Sequence, residues 1–104
     1  MAATPEAKVK TLVKRLLVDQ GLYYFMPSAN GYGHAGIPDI ICCVNGRYLA
    51  IECKAGKGRT TALQERELQR IRDAGGRALI VSDVPETFAE LIRVIYALQL
   101  KEDL

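Results

Sequence analysis

The stretch Gly36-Ile37-Pro38-Asp39-Ile40-Ile41-Cys42-Cys43-Val44-Asn45-Gly46-Arg47-Tyr48-Leu49-Ala50-Ile51-Glu52-Cys53-Lys54 decides the fold. Asn-Gly between two strand-like apolar runs is the strongest short-range hairpin signal, because both residues tolerate the positive φ of a type I′ turn. With Asn45 and Gly46 as the loop, Val44 faces Arg47, and counting back sets Asp39 against Glu52. Facing side chains share one side of a sheet, with Cβ atoms about 5 Å apart. The period of two adds Lys54 to that side. The opposite face carries Ile40, Cys42 and Val44 against Ile51, Leu49 and Arg47. A hairpin apolar on both faces is a central pair, covered by helices on each side. The inference depends on register, since a three-residue loop or a bulge would turn Glu52 to the other face.

Two carboxylates and an ammonium thus converge at one end of an otherwise apolar hairpin. At an effective dielectric of about 20, two carboxylates about 5 Å apart repel by roughly 3 kcal/mol. Folding alone does not select that arrangement. A divalent cation between Asp39 and Glu52, with Lys54 partly balancing the charge, makes it favourable.

The full sequence has 104 residues, 49% hydrophobic and 25% charged, which is the composition of one ordinary globular domain with a modest core. Its three cysteines have no C-x-x-C spacing and read as thiols in a reducing compartment, not as a disulfide framework or a zinc site. No stretch is long enough to span a membrane. The apolar run near the start is broken by Lys14 and Arg15, unlike a signal peptide. An intracellular, soluble protein is expected. Net charge is only +2, but residues 47–72 hold seven basic against three acidic side chains, and residues 83–104 hold five acidic against two basic. A basic middle suits a face presented to a polyanion.

Thr4-Pro5-Glu6 is a helix start, with Thr4 as N-cap and Pro5 at the first helical position. Val9, Leu12, Val13, Leu16 and Leu17 form its apolar stripe, and Gly21 ends it. Leu22–Met26 reads as a strand. Residues 27–36 form a glycine-rich loop that lacks the Gly-Lys-Ser/Thr ending of a phosphate-binding loop. Within it His34 is a candidate catalytic or phosphate contact, and Tyr32 a residue that can stack on a base. After a basic turn, Thr60 or Thr61 caps a second helix running to about Asp73, with Gln64 in its first turn and Leu63, Leu68 and Ile71 inward. Gly75-Gly76 stops it. Arg77–Val81 is a buried strand, and Pro85 opens a strongly amphipathic last helix carrying Phe88, Leu91, Ile92, Ile95 and Leu98. The expected order is α-β-β-β-α-β-α, an α/β (α+β) arrangement with a mixed central sheet flanked by helices.

Magnesium takes oxygen ligands and keeps several waters, so two or three carboxylates suffice. Asp39 and Glu52 qualify, with the Cys53 backbone carbonyl as an extra ligand. Lys54 can then position or help deprotonate a water, or stabilise charge on a phosphorane. Lys57, Arg59, Arg66 and Arg70 are candidate phosphate contacts.

Pro38-Asp39 followed by Glu52-Cys53-Lys54, on a hairpin within this element order, resembles the PD-(D/E)XK nuclease superfamily. With Gly36-Ile37 before it and Gln64 after it, the pattern is similar to the virus-type replication-repair nuclease (VRR-NUC) domain. Glu6 matches that family's first-helix glutamate, and Leu68, Gly75 and Ala78–Val81 fit its later spacing. The resemblance covers roughly residues 4–84. It implies one nuclease domain over residues 1–104, a restriction-endonuclease-like αβββαβ core with an extra C-terminal helix. It also implies a Mg2+-dependent endodeoxyribonuclease in which Mn2+ can substitute, with Glu6 and Gln64 completing the site and no nucleotide cofactor. The stand-alone members, which this chain resembles, act as homodimers on four-way junctions in bacterial or phage-infected cells. Cleavage of flaps, nicked or linear duplex, and a catalytically silent nucleic-acid-binding module, are the alternatives that the sequence leaves open.

Overall fold

The computed structural model describes residues 4–27, 35–56 and 58–100. In chain order the elements are α1 (Pro5–Asp19), β1 (Tyr23–Phe25), β2 (Ile40–Val44), β3 (Arg47–Cys53), α2 (Ala62–Asp73), β4 (Arg77–Val81) and α3 (Pro85–Gln99). The seven elements follow the expected order. The first strand is shorter than the aromatic run suggested, with Leu22 and Met26 outside it.

The sheet has the order β1-β2-β3-β4. The pairs β1/β2 and β2/β3 are antiparallel and β3/β4 is parallel, so the sheet is mixed. Asn45 and Gly46 take φ of 57° and 85°, and Val44 pairs with Arg47 as the Asn-Gly turn requires. The register then runs without a bulge to Ile40 opposite Ile51. The side chain of Asn45 also ties the turn to α3. Its amide donates to the carbonyls of Leu98 and Gln99 at 3.1 and 3.4 Å, satisfying acceptors that the end of α3 leaves open.

Alternation along the strands divides the core between the two faces. Ile40, Cys42, Val44, Leu49, Ile51, Cys53 and Val81 meet Val9, Val13 and Leu17 of α1 and Leu91, Val94, Ile95 and Leu98 of α3. Ile41, Ala50 and Ala78 meet Leu68 of α2, with Ile71 and Ile80 alongside. Fully buried Leu17 illustrates the scale, since truncation of such a residue to alanine costs about 2–5 kcal/mol.

Two inward assignments are corrected. Leu12 of α1 is half exposed, at 53%. Leu63 is half exposed, at 49%. The reason lies in the backbone, because the Leu63 carbonyl and the following peptide pack directly against Gly36. The peptide faces the loop, and the side chain turns out.

Candidate active site

Four elements meet at the open end of the β2–β3 hairpin. Thr4 Oγ1 accepts the Ala7 N–H at 3.1 Å, which fixes the start of α1 and sets Glu6 in its first turn. One turn on, Lys10 lies 3.9 Å from Glu6 Oε2 and 3.5 Å from Asp39 Oδ1. Helix α1 thereby reaches the carboxylate at the mouth of β2.

Asp39 sits in the bend just before β2, one step beyond the last ladder pair. Instead of only facing Glu52 as a further pair would, its carboxylate crosses the strand end. Oδ2 accepts the Cys53 N–H at 2.8 Å. A charged acceptor on a backbone donor is a strong hydrogen bond. It pins one oxygen and leaves Oδ1 toward Lys10.

Glu52 is the buried charged residue of the described core, at 2% exposure. Its Oε2 accepts from Gln64 Nε2 at 3.0 Å and lies 3.4 Å from Lys54 Nζ. Its Oε1 is buried and has no hydrogen-bond partner among the described residues. Burial first, and the neighbouring Asp39 charge second, push its carboxyl up to about 7, against the pull of Lys54. A buried acceptor left unpaired costs about 1–3 kcal/mol.

Gln64 is oriented by a capping box. Thr61 Oγ1 accepts the Gln64 N–H at 3.1 Å, and Gln64 Oε1 accepts the Thr61 N–H at 2.9 Å. With its oxygen so engaged, the amide can only turn its NH2 end toward Glu52. Gly36 makes the approach possible: at φ 88°, a Cβ there would come within 2.5 Å of the Leu63 carbonyl oxygen. On the far side of Lys54, the Gly56 N–H donates to the Asp83 carboxylate at 3.2–3.3 Å and ties that loop to the segment after β4.

The donor set suits a small hard cation. Among the described residues Glu52 Oε1 is a buried carboxylate oxygen without a partner, and Asp39, whose charge acts on Glu52 from the same end of the hairpin, keeps Oδ1 free of the backbone. Among the described residues no three His, Cys, Asp or Glu side chains form a ready cage. Glu6 connects to Asp39 through Lys10.

Asp39, Glu52, Lys54 and Gln64 are therefore brought together as the sequence suggests, with Glu6 at the rim. Arg59 is exposed in the loop between Lys54 and α2. Arg66 and Arg70 follow Gln64 by two and six residues, which at 3.6 residues per turn turns them away from the sheet-facing side of α2. Arg70 instead lies 3.7 Å from Glu67. Tyr32, His34 and Lys57 lie outside the described residues. Sequence reasoning passed over Lys10, whose i,i+4 spacing from Glu6 was the available signal. It also passed over Thr61 as the partner that orients Gln64. The thiol of Cys53 is buried and pushed up to about 12, chiefly by burial, so it stays protonated while its backbone serves the site.

The archaeal Holliday junction resolvase (Hjc) family model matches residues 7–103. The chain belongs to this family. It is thus a nuclease of the PD-(D/E)XK type, a class that acts on DNA and generally uses divalent metal ions. Among solved structures, the Hjc-family fold seen here is similar to that of a VRR_NUC domain protein, with TM-score 0.69 and 21% identity over 93% of this chain and 92% of the other. No curated protein matches. No helix among the described residues is long and apolar enough to cross a membrane.

Proposed function

We propose that this chain is a Mg2+-dependent endodeoxyribonuclease, with Mn2+ able to substitute, that cuts four-way DNA junctions as a homodimer inside the cell. The observation that carries the reading is the buried Glu52 carboxylate, held by Lys54 on Oε2, influenced by the Asp39 charge, and without a partner for Oε1 among the described residues. Asp39 and Glu52 would hold the ion, with the Cys53 backbone carbonyl and Glu6 as further donors. Such an ion supplies a Lewis acid at a phosphoryl oxygen and a more acidic water. Lys54, held against Glu52, orients the attacking water and offsets negative charge developing on the phosphorane. Gln64 holds Glu52 through Oε2, which leaves Oε1 for the ion. Lys57, Arg59, Arg66, Arg70, His34 and Tyr32 are the candidate DNA contacts. Two symmetric cuts require two sites at a fixed separation, which a two-fold dimer provides.

The test is cleavage of labelled four-way junction, flap and linear duplex with Mg2+, Mn2+ or chelator, beside Asp39→Ala, with the mass in solution measured by light scattering. Paired symmetric nicks on the junction alone, lost with chelator and in the variant, are expected from a dimer. Equal cutting of linear duplex would overturn the junction preference, and cutting in chelator would overturn the metal requirement.

A further inference from the structure

Lys10 has no part in the nuclease pattern, yet its ammonium lies within the carboxylate cluster. It is 3.5 Å from Asp39 Oδ1 and 3.9 Å from Glu6 Oε2, and its side chain is 28% exposed. The other Asp39 oxygen is already taken by the Cys53 N–H at 2.8 Å. Oδ1 is therefore the Asp39 oxygen open to a cation, and among the described residues that cation is Lys10. Glu52, by contrast, has Lys54 and Gln64 on Oε2 and, among the described residues, nothing on Oε1. Asp39 and Glu6 both disfavour charge on Glu52, so the three carboxylates share one field.

We propose that Lys10 is a positioning residue that serves as the site's internal counter-ion. It holds Asp39 and Glu6 together before metal arrives, and a divalent cation has to displace it from Asp39 Oδ1. The inference rests on the reading of Asp39 and Glu52 as metal ligands. A lysine suits this role. Its ammonium is a point charge on a flexible stem, so it can withdraw a few ångströms and keep its hydration, which a pinned guanidinium does less readily. Once displaced, its positive charge stays beside the cleft, where a phosphate would come to lie.

The experiment is Mn2+ binding by calorimetry on the DNA-free protein, comparing wild type, Lys10→Met and Lys10→Arg. Removing a competing positive charge from the cluster should tighten Mn2+ binding by roughly fivefold or more in Lys10→Met, with Lys10→Arg at or weaker than wild type. Thermal melts in chelator should place Lys10→Met below wild type, and saturating Mn2+ should close that gap. If Lys10→Met does not fold in chelator, Lys10→Gln carries the same comparison. Mn2+ affinity in Lys10→Met equal to or weaker than that of wild type would overturn the counter-ion role, because Lys10 would then be a surface ion pair or a rigid support for Asp39. Failure of wild type itself to bind Mn2+ would instead overturn the metal-site reading beneath it.

Discussion

Gln64 donates to Glu52 Oε2 across 3.0 Å from an amide whose oxygen is already held by the Thr61 N–H. Helix capping and active-site geometry are thus one interaction network. Gln64→Glu separates the two roles. A glutamate keeps the capping box, so the helix content should stay at the wild-type level. It places a second carboxylate against Glu52 where a donor was, and the cleavage rate should fall at least about tenfold. Circular dichroism with a junction-cleavage assay reads both, and an unchanged rate would remove Gln64 from the site.

Glu52 makes stability fall as pH rises, in the absence of metal. Its carboxyl is raised in the folded state from 4.5 to about 7, so the native protein binds the proton more tightly than the unfolded chain. That contribution is fully present below about 4.5 and is lost as pH climbs through about 7, on the order of 3 kcal/mol in all. Urea unfolding in chelator at pH 5 and pH 8 should show wild type losing stability relative to Glu52→Gln. Added Mg2+ should restore it at pH 8, and binding at a pH below about 7, where Glu52 is still protonated, should release a proton. The opposite slope would show that Glu52 is ionised and solvated.

Gly36→Ala should be costly for two separable reasons. Its φ of 88° is unfavourable for any L side chain, and a Cβ would lie 2.5–3.0 Å from backbone atoms of Leu63 and Gln64, which cannot rotate away. Gly21, at φ 68° with open space around it, has the first problem only. Gly21→Ala should cost about 1 kcal/mol, whereas Gly36→Ala should exceed it by a further 1–3 kcal/mol, roughly an overpacking cost, and lower cleavage as Gln64 shifts. Denaturant titration of the pair settles the comparison, and equal losses would argue against the close approach.

Asn45 separates turn conformation from helix capping. Asn45→Gly keeps the positive φ and loses the hydrogen bonds to Leu98 and Gln99, a loss of about 1 kcal/mol. Asn45→Ala loses both and should cost about 1 kcal/mol more. Equal stability of Asn45→Gly and wild type would show that the contact to α3 contributes nothing.

Much of this architecture was legible because its signals are local. Asn45-Gly46 set the register, and parity then placed Glu52 and Lys54 on one face and Cys42 and Ile51 on the other. Thr4-Pro5, Thr61 and the paired glycines after Asp73 fixed helix ends within a residue or so. What was not legible depends on contacts between elements. Nothing in the sequence says that Lys10 would reach across to Asp39, since its spacing from Glu6 predicts only a pair within one helix. Leu63 follows the helical period yet faces solvent, because Gly36 lets a peptide occupy the place that the period assigns to a side chain. Asp39 was expected to face Glu52. The ladder stops one pair earlier, and its carboxylate is free to cross the strand end.

The hydrogen bond from the Cys53 N–H to Asp39 has a consequence for folding order. It closes the hairpin at its open end, just as Asn45-Gly46 closes it at the other, so the segment from Asp39 to Cys53 is a small ring clasped by its own side chain. A strand slipped by one residue would lose that clasp and bury Glu52 on the wrong face. The main carboxylate pair of the site therefore depends on contacts within fifteen consecutive residues. Short loops close quickly and at little entropic cost. The two candidate ligands can come into register before any of the three flanking helices has docked.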